Sequence, residues 1–145
     1  MNGHCCAGGE HAVRRPTDIR VLLVDDHPWV RASLAELLAD EDDLVVVGEC
    51  ADGSDVVEAA ERLKPDVVLM DLSMPGMDGV AATSALRAAH LDSRVVVLTA
   101  EDVAARTVVA SAGADAFLPK STRADALLGC LRTVVCGCGC CPYCL

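Results

Sequence analysis

Five short aliphatic runs constrain this chain more than any other feature: IRVLLVDD (19–26), LVVVGEC (44–50), PDVVLMD (65–71), SRVVVLTA (93–100) and ADAFLPK (114–120). Most lack polar alternation, which predicts strands buried on both faces, as in a parallel sheet covered by helices. Between them apolar residues recur at helical spacing: Val30, Leu34, Leu37 and Leu38; then Val57, Ala60 and Leu63; then Val80, Leu86 and Ala89; then Ala104, Ala105, Val108 and Val109. A fifth stripe, Leu127, Leu128, Leu131, Val134 and Val135, follows the last strand, with Ser121 or Thr122 placed to cap it. Five βα units predict an α/β fold, a doubly wound parallel sheet.

Length and composition narrow the function. A chain of 145 residues accommodates one domain around a single core. With Trp29, Phe117 and Tyr143 as its only aromatics, that core is built from Val, Leu and Ala. A formal charge of −10, with Lys and Arg scattered, argues against a nucleic-acid-binding surface. No window reaches the roughly 18 apolar residues of a membrane span, and the N-terminal sequence lacks a signal peptide's apolar centre. The expected location is cytoplasmic. Of nine cysteines, two lie near the start (Cys5, Cys6), two within the domain (Cys50, Cys130) and five between Cys136 and Cys144, so disulfides are not the expected framework.

In doubly wound sheets the ligand site lies beyond the carboxyl ends of the strands. The polar residues interrupting the aliphatic runs fall there: Asp25 and Asp26 after the first run, Asp71 after the third, Thr99 after the fourth and Lys120 after the fifth. Crowded carboxylates repel unless a cation sits among them, and Mg²⁺ suits such a set because it takes few carboxylates, a carbonyl and waters. One carboxylate, most centrally Asp71, then serves as a nucleophile toward phosphorus, with the metal and Lys120 offsetting phosphoryl charge. Taken singly, an Asp at a strand end is more often a turn former or helix cap, and that reading wins for Asp25 and Asp26 alone; Lys120 alone also reads as a loop lysine and Thr99 as a cap. Five such positions together favour a site.

These elements, VDD (24–26), MDLSMPGMDG (70–79), LTA (98–100) and GADAFLPK (113–120), resemble the response-regulator receiver domain over about residues 19–135. DDHP (25–28) and the AGADAFLPKS run look like its NarL/FixJ-type branch, whose members usually carry a LuxR-type helix-turn-helix after the receiver. The resemblance implies a flavodoxin-like strand order 2-1-3-4-5 with five helices. It makes Asp71 the phosphoacceptor, Asp26 a direct Mg²⁺ ligand, Asp25 a ligand through water and the Ser73 backbone carbonyl the remaining protein ligand. Thr99 and Lys120 become the phosphate-contacting pair, and Thr99 with Phe117 the switch pair; Phe117 also reads as a core aromatic. Ser73 and Glu101, two residues beyond Asp71 and Thr99, occupy positions that tune acyl-phosphate hydrolysis in the family.

The implied function is a two-component response regulator. Its phosphoryl donor is a sensor histidine kinase and its readout face spans residues 101–135. A homodimer on phosphorylation is a family-level expectation, and nucleic acid and membrane are not expected partners. Catalysis is confined to self-catalysed aspartyl phosphorylation and dephosphorylation.

Two departures stand out. Lys120 is followed by Ser121, where the family usually has Pro. The ending LRTVVCGCGCCPYCL stands where a linker and helix-turn-helix are expected, which reads as a single-domain regulator or a truncated one. The expected layout is an N-terminal extension (1–18), the receiver (19–135) and a Cys-rich tail (136–145). Cys136, Cys138, Cys140, Cys141 and Cys144 have spacings able to ligate zinc or an iron–sulfur cluster, with His4, Cys5, Cys6 and His11 as candidate neighbours. A metal or redox sensor is therefore the alternative function. The CPYC dithiol motif is a weaker reading, because only Leu145 follows it. His27 and His90 have no partner at ligand spacing and read as ordinary surface or loop residues.

Overall fold

The computed structural model describes residues 18–72, 78–100 and 105–136. Along the chain run β1 (Ile19–Val24), α1 (Pro28–Ala39), β2 (Leu44–Cys50), a 3₁₀ turn (Gly53–Asp55), α2 (Val56–Leu63), β3 (Val67–Asp71), α3 (Gly79–Ala88), β4 (Arg94–Thr99), α4 (Ala105–Ala112), β5 (Ala116–Pro119) and α5 (Ala124–Cys136). The strands form one parallel sheet in the order β2-β1-β3-β4-β5, as the five aliphatic runs and the motif resemblance predict.

The unalternated Val/Leu runs are explained by two separate cores. On one face Leu22, Val24, Val68, Met70, Val95 and Val97 pack with Val56 and Ala60 of α2, Ala82 and Leu86 of α3 and Val109 of α4. On the other, Val21, Leu23, Val67, Leu69 and Val96 pack with Leu38 of α1 and with Leu127, Leu128 and Leu131 of α5. Each central-strand residue thus faces a helix whichever way it points. Burying each large aliphatic side chain contributes about 1.5–3 kcal/mol.

The helical stripes shift in detail. In α2 the buried residues are Val56, Ala59 and Ala60, while Val57 and Leu63 pack partly at the margin. In α4 Val109 is buried but Val108 is 53% exposed, because a short helix against one sheet face seats only a narrow stripe. The predicted cap of the last helix is also displaced. That helix begins at Ala124, the Leu127 N–H donates to the Arg123 carbonyl, and the Thr122 hydroxyl donates instead to the Pro119 carbonyl at 2.6 Å. Edge strand β2 carries a bulge, its register skipping from Val46 to Gly48. Cys50 and Cys130 are buried within the domain, and no described helix is long and apolar enough to cross a membrane. The N-terminal extension and the Cys-rich tail beyond Cys136 lie outside the described residues.

Candidate functional site

The carboxyl ends of β1, β3, β4 and β5 gather the predicted residues at one edge of the sheet. β3 lies between β1 and β4 and is buried at every position, so Asp71, its last residue, enters the centre of the site and is 4% exposed. Asp25, just past β1, is 3% exposed; its N–H donates to the Cys50 carbonyl at 3.0 Å, continuing the β1–β2 ladder. Asp26 keeps a half-buried side chain. Thr99, paired with Pro119, is 1% exposed, and its carbonyl accepts the Lys120 N–H at 2.8 Å. That bond fixes the point from which Lys120 reaches inward.

Lys120 Nζ lies 3.1 Å from Asp71 Oδ1 and 3.6 Å from Asp25 Oδ2. Burial alone would lower the lysine's pKa, but the Asp71 hydrogen bond and the charges of Asp71 and Asp25 together raise it above the ordinary lysine value. The ammonium is therefore held charged between two carboxylates.

The turn after β3 explains the glycine that ends the sequence motif. Asp78 caps α3 by accepting the Ala81 N–H at 2.9 Å, and the Gly79 N–H donates to the Leu72 carbonyl at 2.9 Å. A Cβ on Gly79 would stand 2.6 Å from the Asp71 carbonyl oxygen and 2.9 Å from Leu72 Cα. Only glycine lets the helix start this close to the end of the strand that carries Asp71.

Phe117 is 5% exposed and belongs to the core beneath α2, α3 and α4, in agreement with its reading as a core aromatic. Ser73 and Glu101 lie outside the described residues. Sequence reasoning missed two neighbours of the site. Arg31 donates to the Asp25 carbonyl and, at 3.0 Å, to Glu49. His27, read as an ordinary loop residue, brings Nδ1 to 3.2 Å from Asp25 Oδ1 and 3.1 Å from Asp26 Oδ1. Its signal was adjacency: Pro28 opens α1 and sets the preceding backbone extended, which turns His27 back over the two aspartates.

Asp25, Asp26, His27 and Asp71 offer ligand atoms all within 4.8 Å of one another. Asp26 Oδ1 is buried without a hydrogen-bond partner; His27 Nδ1, 3.1 Å away, hydrogen-bonds with Asp25 Oδ1 instead. An orphaned carboxylate oxygen beside two further carboxylates is the donor set that a hard divalent cation takes, so the residues fit Mg²⁺.

Fold and edge define a doubly wound α/β domain with an acidic, lysine-bridged site at the carboxyl ends of its strands. Residues 21–132 match the model of the response regulator receiver domain, and the chain belongs to that family. It is 43% identical over 116 residues to the transcriptional regulatory protein LiaR of Bacillus subtilis (strain 168), covering 79% of this chain and 54% of the relative. It is 38% identical over 118 residues to the nitrate/nitrite response regulator protein NarL of Escherichia coli (strain K12), covering 81% and 55%. The chain thus spans about half the length of the curated relatives it matches. Among solved structures, the signal receiver domain of the putative response regulator NarL from Mycobacterium tuberculosis aligns with a TM-score of 0.75 at 35% identity, covering 81% of this chain and 98% of that one. A LuxR-family two-component response regulator from Aurantimonas sp. SI85-9A1 aligns with a TM-score of 0.79 at 30% identity, covering 83% and 86%. The chain is a receiver domain of the NarL type from a two-component system, and this favours the receiver reading over a sensor built on the cysteine tail.

Proposed function

We propose that residues 19–135 form a phosphorylatable switch in which Asp71 accepts a phosphoryl group from a phosphohistidine of a cytoplasmic sensor kinase. The observation that carries this reading is the Lys120 ammonium 3.1 Å from Asp71 Oδ1, within a cluster whose Asp26 Oδ1 lacks a hydrogen-bond partner. An Asp71 carboxylate oxygen attacks phosphorus; the P–O bond forms as the P–N bond breaks, and the electron pair leaves with the donor's imidazole. Asp25, Asp26 and Asp71, with the Ser73 backbone carbonyl that the resemblance implies, would hold Mg²⁺, which when bound would offset charge on the carboxylates and the phosphoryl oxygens. Lys120 transfers its ion pair from the Asp71 oxygen to a phosphoryl oxygen. The Thr99 hydroxyl donates to another, and Phe117 follows the vacated space, altering the 101–135 face. Homodimerisation through that face is the corresponding output.

Intact mass after incubation with a small-molecule acyl phosphate and Mg²⁺ tests the chemistry. Wild type gains one phosphoryl group and Asp71→Asn gains none; equal labelling of both, or of neither, sinks the assignment.

A further inference from the structure

Two consecutive peptide planes at the end of β1 are fastened to edge strand β2. The Asp25 N–H donates to the Cys50 carbonyl at 3.0 Å, and the Asp25 carbonyl accepts from Arg31 Nη1. Because each peptide is planar, fixing a carbonyl's direction also fixes the N–H and Cα of the next residue. Arg31 therefore sets the course of the chain into Asp26. The Arg31 N–H donates to the His27 carbonyl at 3.1 Å in the first turn of α1, and its side chain runs back toward the helix start, as helical side chains do. There Nε donates to Glu49 Oε1 of β2 at 3.0 Å, with 17% of the side chain exposed. The guanidinium is thus a strut, one nitrogen on β2 and another on the peptide that joins the two aspartates.

We propose that Arg31 is a positioning residue for the acidic site: by holding the Asp25–Asp26 peptide against β2 it places the Asp26 carboxylate for metal binding and so for phosphoryl transfer to Asp71. The proposal rests on the reading of Asp26 as a metal-binding carboxylate and of Asp71 as the phosphoacceptor. Charge and position predict opposite signs. As a mere cation near the carboxylates, Arg31 would repel Mg²⁺, and its removal would tighten binding. As a strut it holds a ligand in place, and its removal weakens binding by about tenfold, the scale of other groups that orient metal ligands.

The experiment uses the full chain and two readouts. Mg²⁺ affinity without phosphodonor is followed by the fluorescence of Trp29, the sole tryptophan and 73% exposed; the Mg²⁺ dependence of Asp71 labelling by an acyl phosphate is followed by intact mass. Arg31→Met keeps the packing of the stem and removes the donors. In it the Mg²⁺ Kd and the half-saturating Mg²⁺ for labelling both rise about tenfold, while the labelling rate at saturating Mg²⁺ falls less than about twofold. Arg31→Lys preserves the charge but lacks the fork, so its Kd lies between the two, about threefold above wild type. An Mg²⁺ Kd unchanged or lowered in either variant that folds overturns the proposal and leaves Arg31 a stabilising contact, its loss visible only in the melting temperature. Wild type that binds Mg²⁺ and is labelled, beside variants with its Kd, removes the proposal alone; wild type that does neither removes the reading beneath it as well.

Discussion

Lys120 brings its ammonium into a group of carboxylates whose burial would otherwise be penalised. Replacing it with alanine leaves Asp71 and Asp25 facing one another without that cation, and costs about 1–3 kcal/mol of stability at neutral pH, measured by urea unfolding. Saturating Mg²⁺ reduces the loss by restoring positive charge. The pH dependence has a definite sign. Because Lys120's folded pKa is raised, its contribution is full below the ordinary lysine value of 10.5 and is lost as pH climbs through the higher folded value. Wild type therefore shows an alkaline loss of stability that Lys120→Met flattens; an unchanged alkaline limb in that variant contradicts the assignment. Gly79 sets a steric rather than electrostatic limit. Gly79→Ala presses a methyl group against the Asp71 carbonyl and Leu72 backbone, so destabilisation of about 1–3 kcal/mol accompanies slower phosphorylation of Asp71, read by the same unfolding and intact-mass measurements.

At the scale of elements, the side of the sheet opposite the site is tied together by Arg87 at the end of α3. Its guanidinium donates to the Gly113 carbonyl at 2.9 Å, the Ser93 carbonyl at 2.8 Å and Asp115 Oδ2 at 2.6 Å. Asp115 Oδ2 also accepts the Val95 N–H at 2.8 Å, so one fork joins α3, the start of β4 and the α4–β5 turn. Arg87→Ala strands these partly buried acceptors, and a loss of about 2–4 kcal/mol is expected from denaturant unfolding. Arg87→Lys recovers only part of it, because an ammonium cannot reproduce the planar fork. None of this was visible in sequence, where Arg87 is one of several scattered cations and its partners lie up to 28 residues away. The strands were legible for the opposite reason. A run such as VVLMD is apolar on both faces, and only a central parallel strand tolerates that. Helix faces were less legible because small alanines blur the stripe: Val56 and Val57 are equivalent in composition, and only packing chooses Val56. Likewise Asp25, Asp26, Asp71, Thr99 and Lys120 could be found by their strand-end positions. His27 depended on the angle at which α1 leaves β1, which composition does not encode.

At the scale of the whole molecule, ten excess negative charges and a cluster of three carboxylates at one sheet edge mean that the ion-free fold works against its own electrostatics. Lys120 relieves part of the repulsion, but Asp26 Oδ1 remains buried without a hydrogen-bond partner. A divalent cation that binds the folded cluster and not the dispersed aspartates of the unfolded chain must stabilise the fold by mass action: about 2.7 kcal/mol at a hundredfold excess over Kd. For a chain of this length each kcal/mol moves Tm by roughly 2–4 °C, so Mg²⁺ raises the melting temperature by about 5–10 °C over the chelated protein. Asp26→Asn removes most of that increment. It also removes a buried charge, so its chelated form melts no lower than the chelated wild type. Thermal unfolding by circular dichroism in chelator and in Mg²⁺, for both proteins, reads all four values. A wild-type Tm indifferent to saturating Mg²⁺ would mean that the cluster is satisfied by Lys120 and His27 alone, and that it is not a metal site.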